Sequence, residues 1–219
     1  METWQGREAL ILSGAPDNDI GYVKQFLAEH PHVKIVCADA GLRHLQTLGV
    51  SPDLLVGDFD SGFEPSSICE IIRLIPEKDD TDTMHALQVV MERGCQTVWI
   101  ACATGGRLDH LLSNLSLCEY AAEQGGTCYI LDAQNLVQFM RAGQAVHIPR
   151  NMAYRYFSII PLDKQLQGLR IEGAKYPVEH ATVDRSQMYT VSNEVTGNEA
   201  IVQVEAGSAL VICSKDQRN

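Results

Sequence analysis

Apolar and polar positions alternate along the chain in two different textures. Up to about residue 132, short apolar runs rich in β-branched residues, at 9–12, 33–37, 54–56, 73–75, 97–101 and 127–131, predict strands. The segments between them, 22–29, 42–48, 66–72, 83–93 and 108–123, carry helical spacing. Strand and helix in regular alternation predict an α/β domain, a three-layer Rossmann-like unit with a mostly parallel sheet covered on both faces. In the last helical segment Leu108, Leu111, Leu112, Leu115 and Cys118 recur at helical intervals and predict one buried stripe. Asp109, His110, Ser113 and Asn114 fall on its other face.

After Gly143 the helical period disappears. Short strands are expected at 154–160, 166–171, 188–191, 200–204 and 209–213, with breaks at Gly173, Pro177, Gly197, Asn198 and Gly207. The expected organisation is therefore an α/β domain over 1–138 followed by a small all-β sandwich over 143–219. A unit as small as the second is marginal alone and is expected to lean on its neighbour or on a second subunit.

Composition narrows the partners. The 219 residues carry 17 Lys+Arg against 28 Asp+Glu, a formal charge of −11. That balance argues against nonspecific binding of nucleic acid or anionic membranes, which depends on cations neutralising phosphate. Seven cysteines, an odd number with no Cys-x-x-Cys spacing, signal neither a disulfide framework nor a zinc site. No apolar run approaches the roughly 20 residues of a membrane span, and no leader-like segment is evident at the start. A cytoplasmic protein is expected.

Open parallel sheets bind ligands at the carboxyl ends of their strands, and here acidic residues collect just after the expected strands. Asp39 follows the second, Asp58 and Asp60 the third, and Glu77, Asp79, Asp80, Thr81 and Asp82 the fourth. The fifth leads into Gly105, Gly106, Arg107, Leu108, Asp109 and His110. Acids crowded on one rim repel unless cations sit among them. Hard oxygen donors without a nearby Cys or His pair point to magnesium. Taken singly, each feature has a plainer reading: an Asp after a strand caps or turns, Thr81 or Asp82 caps the next helix, and Gly105-Gly106 makes a tight turn. Together, a Gly-Gly-Arg turn opening a helix and a rim of acids describe a magnesium–nucleotide site.

Three ordered motifs, Gly57-Asp58-Phe59-Asp60-Ser61, Lys78-Asp79-Asp80-Thr81-Asp82 and Gly105-Gly106-Arg107-Leu108-Asp109-His110 with Ser113-Asn114, resemble thiamine pyrophosphokinases of the bacterial type. In the β-rich part, 158–162, 173–177 and Ser192-Asn193-Glu194 are similar to that family's thiamine-binding domain. The resemblance implies transfer of the β,γ-pyrophosphoryl group of ATP to the hydroxyl of thiamine, giving thiamine diphosphate and AMP. It implies Asp58, Asp60 and Asp82 as Mg²⁺ ligands and Asp39, Asp79, Thr81, Arg107 and Asn114 as ATP-side groups. Asp109 falls where metal, phosphate and acceptor meet, and Ser192 and Asn193 fall on the thiamine pyrimidine. The implied catalytic set is Asp58, Asp60, Asp82, Arg107 and Asp109. The family's arrangement also implies a homodimer with pockets across its interface.

The chain departs from the family pattern in places. The Ala-Asp-Gly-Gly run of the family is Ala38-Asp39-Ala40-Gly41 here, and its usual Asn two residues on is Arg43. Ala40 removes a conformationally permissive position. Where some relatives carry an aromatic after the Ser-Asn pair, this chain has Val195 and Thr196. Stacking on thiamine would then fall to Tyr176 or Tyr189, against which stands ordinary core packing of those rings. Two other classes compete: a metal-dependent nucleotide phosphatase with Asp58 or Asp60 as nucleophile, and a thiamine-binding protein without catalysis. The first leaves the β-domain motifs without a role, and the second leaves the acidic rim without one.

Overall fold

β1 (Glu8–Leu12) has its last four residues fully buried, as expected of a strand covered on both faces. It sits in the middle of a parallel sheet in a computed structural model that describes residues 3–16, 19–59, 69–75, 80–150 and 153–216. Contacts divide the chain into two units, 1–133 and 134–219. The division falls ahead of the expected end of the first domain at 138, because 135–141 form a strand that pairs within the second unit.

In the first unit the chain runs β1, α1 (Gly21–Glu29), β2 (Lys34–Ala38), a 3₁₀ turn (Asp39–Gly41), α2 (Leu42–Leu48), β3 (Leu54–Gly57) and β4 (Glu70–Arg73). It continues through α3 (Asp82–Glu92), β5 (Thr97–Ala101), α4 (Leu108–Glu123) and β6 (Thr127–Leu131). The spatial order is β4-β3-β2-β1-β5-β6, and every pairing is parallel. The chain thus builds outward from β1 on one side and then returns to its other side with β5. The switch point between β1 and β5 opens a crevice at their carboxyl ends. α3 packs on β1, β2 and β3, burying Ala86, Leu87 and Val90, while α4 packs on β6 and α3. Arg93, fully buried after α3, grips Glu70 of β4 with two hydrogen bonds, of 2.9 and 2.6 Å, and lies over the Trp4 ring. Its guanidinium holds the Glu70 carboxyl below its ordinary pKa.

Two expectations fail here for physical reasons. The part of the expected helix over 66–72 that is described begins a strand instead, with Ile71 and Ile72 paired to Leu55 and Val56; 66–68 lie outside the described residues. As an edge strand, exposed or half-buried throughout, β4 shows neither clean period. In α4 the buried positions are Asn114, Leu117, Cys118 and Ala121, whereas Leu108 and Leu112 are 67% and 55% exposed. The period is helical but the buried face is rotated from the expected stripe, and Asn114 is inside rather than out.

The second unit contains β7 (Asn135–Arg141), β8 (Ala145–Pro149), β9 (Tyr156–Pro161), β10 (Gln165–Glu172), β11 (Val178–Asp184), β12 (Glu199–Gln203) and β13 (Ser208–Ser214). They form two antiparallel layers, β7-β13-β9 and β11-β10-β12-β8. Inward side chains of both layers, among them Met140, Ile148, Phe157, Ile159, Leu166, Val202 and Val211, make one core. That is the expected sandwich. The expected strand over 188–191 is instead irregular, and Met188, Tyr189 and Val191 are exposed. Strands β7, β8 and β11 were not among the expected ones.

Candidate functional site

The switch-point crevice is a cleft of about 460 Å³. Its walls come from the segments after β1 (Ser13 to Pro16) and β2 (Ala38 to Ala40), the start of α3 (Thr81 to Thr83) and the β5–α4 turn (Gly105 to Arg107), closed by His110 and Asn114. The volume suits a small-molecule ligand. Of the expected site residues, Asp39, Thr81, Asp82, Arg107 and Asn114 converge here. Asp58 follows β3 beside them: a Cβ on Gly57 would lie 2.9 Å from the Asp39 Cβ, so only glycine lets β3 end this close to Asp39. Asp60 and Asp79 lie outside the described residues.

Local chemistry explains each placement. Thr81 is the N-cap of α3, its Oγ1 accepting from the Met84 N–H at 3.2 Å, and Asp82 occupies the first turn, where the helix dipole favours an anion. The buried hydroxyls of Ser13 and Thr83, 2.8 Å apart, join the end of β1 to the start of α3. Gly105 and Gly106 both take left-handed backbone, φ 87° and 66°, which delivers Arg107 to the N-cap of α4. Asn114 is buried and its Nδ2 donates to the Ala103 carbonyl at 2.8 Å, tying α4 to the loop after β5. Asp39 itself is the left-handed residue of its run (φ 37°), so Ala40 occupies a position that asks for no glycine freedom.

Arg107 and Asp109 form an exposed pair. Nε donates to Oδ1 at 3.1 Å and Nη2 to Oδ2 at 2.5 Å, and the His110 N–H adds a bond of 2.9 Å. The Arg107 hydrogen bonds come first in lowering the Asp109 carboxyl to about 2, helped by the His110 amide. In return Asp109 raises the pKa of Arg107. A carboxylate so held is a weak base. Among the described residues, no three His, Cys, Asp or Glu side chains come together as a metal cluster. The donors at hand, Asp58 and Asp82, are nonetheless the hard carboxylates of which magnesium takes one or two alongside phosphate oxygens.

In the second unit a cleft of about 490 Å³ is lined by Lys175, Tyr176, Tyr189, Thr190 and Asn193, among others. Ser192 is exposed, in left-handed backbone (φ 61°), with its N–H on Ser158 Oγ at 3.0 Å. Asn193 is only 5% exposed. Its Oδ1 accepts from the N–H groups of Tyr176 (3.0 Å) and Glu194 (2.9 Å), and its Nδ2 donates to the Tyr176 carbonyl at 2.8 Å. The amide therefore clamps the backbone that carries the Tyr176 ring. Tyr176 and Tyr189 are 60% and 64% exposed, outside the core that ordinary packing would assign them. Lys175 bonds Glu194 at 2.8 Å and lies 5.6 Å from the Tyr176 ring centre. That hydrogen bond, aided by the lysine charge, lowers the pKa of Glu194.

Two family models cover the chain in succession. "Thiamin pyrophosphokinase, catalytic domain" matches residues 27–130, and "Thiamin pyrophosphokinase, vitamin B1 binding domain" matches residues 144–211. A solved structure of a thiamin pyrophosphokinase family protein from Enterococcus faecalis is 30% identical, covering 97% of this chain and 100% of that one, with a TM-score of 0.78.

The chain belongs to the thiamin pyrophosphokinase family.

The solved thiamine pyrophosphokinase of Bacillus subtilis superposes with a TM-score of 0.87 at 27% identity, over 96% of this chain and all of that one. A curated thiamine pyrophosphokinase of Bacillus subtilis (strain 168) is 29% identical over 213 residues, 94% of this chain and 98% of that protein. Within this frame the first family model spans most of the switch-point cleft, and the second spans the clamp of Asn193 on Tyr176. The first cleft wall, Ser13 to Pro16, precedes the matched segment and carries no charge, so little in the sequence marks it. His110 lines the cleft as well, although as part of its motif it had no expected role. A further cleft of about 460 Å³ lies at the amino-terminal ends of β1, β5 and β6, lined by Gln88, Glu92, Gln96 and Gln124 among others, and none of the family motifs reaches it.

Proposed function

We propose that this family member transfers the β,γ-pyrophosphoryl group of ATP to the hydroxyl of thiamine, releasing thiamine diphosphate and AMP. The observation that carries the reading is the convergence of Asp39, Thr81, Asp82, Arg107 and Asn114 on one cleft at the switch point. ATP lies there with its phosphates toward the Gly-Gly-Arg turn, where N–H groups and a guanidinium meet anionic oxygens. Asp39, Asp79, Thr81 and Asn114 shape the ATP side. Asp58, Asp60 and Asp82 would hold magnesium, which would neutralise phosphate charge.

The thiamine hydroxyl oxygen attacks the β-phosphorus in line, the β-phosphorus to α-bridging-oxygen bond breaks, and AMP leaves with that bond's electron pair. Arg107 meets the growing charge by turning from Asp109 to the phosphates. That turn frees Asp109 from the pairing that makes it a weak base, so the carboxylate accepts the hydroxyl proton only after Arg107 has engaged ATP. Thiamine is recognised in the second unit, where Ser192 sits in sequence between the cleft residues Val191 and Asn193, and Asn193 acts through the Tyr176 backbone. Exposed Tyr176 and Tyr189 supply the aromatic faces for its rings.

The active species is a homodimer with pockets across its interface. Leu108 and Leu112 on the first unit, and Met188 and Val191 with the two tyrosines on the second, are the exposed apolar groups a second copy would cover. Seven cysteines with no disulfide among them suit the reducing cytoplasm, and no helix among the described residues is long and apolar enough to cross a membrane. Incubation of the pure protein with thiamine, ATP and Mg²⁺, read by mass spectrometry, tests the reading. It is supported by AMP and thiamine diphosphate, and fails if ADP or inorganic phosphate forms with thiamine unchanged.

A further inference from the structure

Arg43 stands in the first turn of α2, where a cation works against the helix dipole, so the helix gains nothing from its charge. Its guanidinium is used elsewhere. Nε donates to the Ala40 carbonyl at 2.8 Å, and Nη2 donates to the Gly14 carbonyl at 3.1 Å. Gly14 and Ala40 belong to the segments after β1 and β2, neighbouring strands whose ladder ends at Leu12 and Cys37, and both line the switch-point cleft. Arg43 itself is exposed and is not part of the cleft wall.

The two segments it joins are fitted closely. A Cβ on Gly14 would come within 2.8 Å of the Ala40 methyl, and a Cβ on Gly41 within 2.0 Å of the Leu12 carbonyl oxygen. Small residues thus let the loops touch, and one planar fork bonds a carbonyl on each. A lysine is a point donor and reaches one of the two.

We infer that Arg43 is a positioning residue for the nucleotide: by locking the loops after β1 and β2 together it fixes two walls of the ATP cleft and sets ATP affinity without bearing on thiamine. The inference rests on the reading of the switch-point cleft as the ATP site.

The test uses the full-length wild type, Arg43→Ala and Arg43→Lys. ATP and thiamine KM values are measured, together with calorimetric Kd for the magnesium complex of a non-hydrolysable ATP analogue and thermal midpoints. Arg43→Ala should raise the ATP KM and the analogue Kd about tenfold, the scale of one charged hydrogen bond, with thiamine KM unchanged. Arg43→Lys should recover part of the loss. Unchanged analogue Kd in Arg43→Ala overturns the inference. A parallel rise in both KM values with a lower midpoint also overturns it, since that is general support of the fold. Wild type that binds no analogue overturns the ATP reading, and this inference with it.

Discussion

Replacing Gly14 by alanine puts one methyl into the contact between the loops after β1 and β2. Its Cβ would stand 2.8 Å from the Ala40 Cβ, whereas carbon atoms at their best separation lie about 3.5 to 4.0 Å apart. The backbone at Gly14 is not left-handed, so the cost is steric rather than conformational. Overpacking of this kind costs about 1 to 3 kcal/mol. It should appear as a thermal midpoint lowered by roughly 2 to 4 °C per kcal/mol, or as weaker ATP binding if the loops part instead. Ala40→Gly alone removes a methyl and adds chain freedom, at about 0.5 to 1 kcal/mol. In the double variant the next atoms near the new Cβ are the Ala40 Cα and carbonyl carbon, at 3.7 and 3.8 Å, which is ordinary contact. The double-mutant cycle, read by chemical denaturation and by calorimetry with the ATP analogue, should therefore show strong favourable coupling, with the double variant better than Gly14→Ala. A harmless Gly14→Ala, or a double variant no better than the sum of the singles, would refute the contact.

The Asp109 carboxyl should titrate near 2 by NMR, and Arg107→Ala should return it toward about 3.9. Because its folded value lies below the unfolded one, its share of stability is present above about pH 4 and is lost as the pH falls toward 2. A wild-type value above 3.5 would disprove the pairing. Asn193→Ala removes three part-buried hydrogen bonds to the Tyr176 and Glu194 backbone, so the thermal midpoint should fall with a loss of about 1 to 3 kcal/mol. An unshifted midpoint would show that the amide does not clamp that loop. Asp58→Asn and Asp82→Asn should cut turnover by about a hundredfold or more while the fold is kept, since removing acid repulsion relieves the apo rim. Turnover within threefold of wild type in both would remove these residues from magnesium binding.

The sequence revealed most where an apolar run or a helical period was sustained. β5, β6, α2 and α4 end where the apolar runs end, because two-sided strands and long helical periods leave little choice. β4, an edge strand, has no such constraint, and β11 alternates Glu179 and His180 with few buried residues, so neither carries a period. The rule that ligands sit beyond strand carboxyl ends picked out Asp39, Thr81, Asp82 and Arg107, which share one cleft with Asn114, a residue that only the family resemblance pointed to. It missed Ser13 to Pro16, an uncharged wall, and it could not say which way an amide faces. Asn193 reads the same in sequence whether it points at a ligand or, as here, at the Tyr176 backbone. The Asp109 carboxylate likewise carries no mark of the arginine two residues before it that quenches its basicity.

The central claim is that two phosphoryl groups of ATP leave together for thiamine. ATP carrying ³²P in the γ position, and separately in the β position, supplied with thiamine and Mg²⁺, tests it most directly. Both labels should appear in thiamine diphosphate, with one unlabelled AMP formed per labelled product. Label released as inorganic phosphate, or γ-label in a thiamine monophosphate accompanied by ADP, would contradict it.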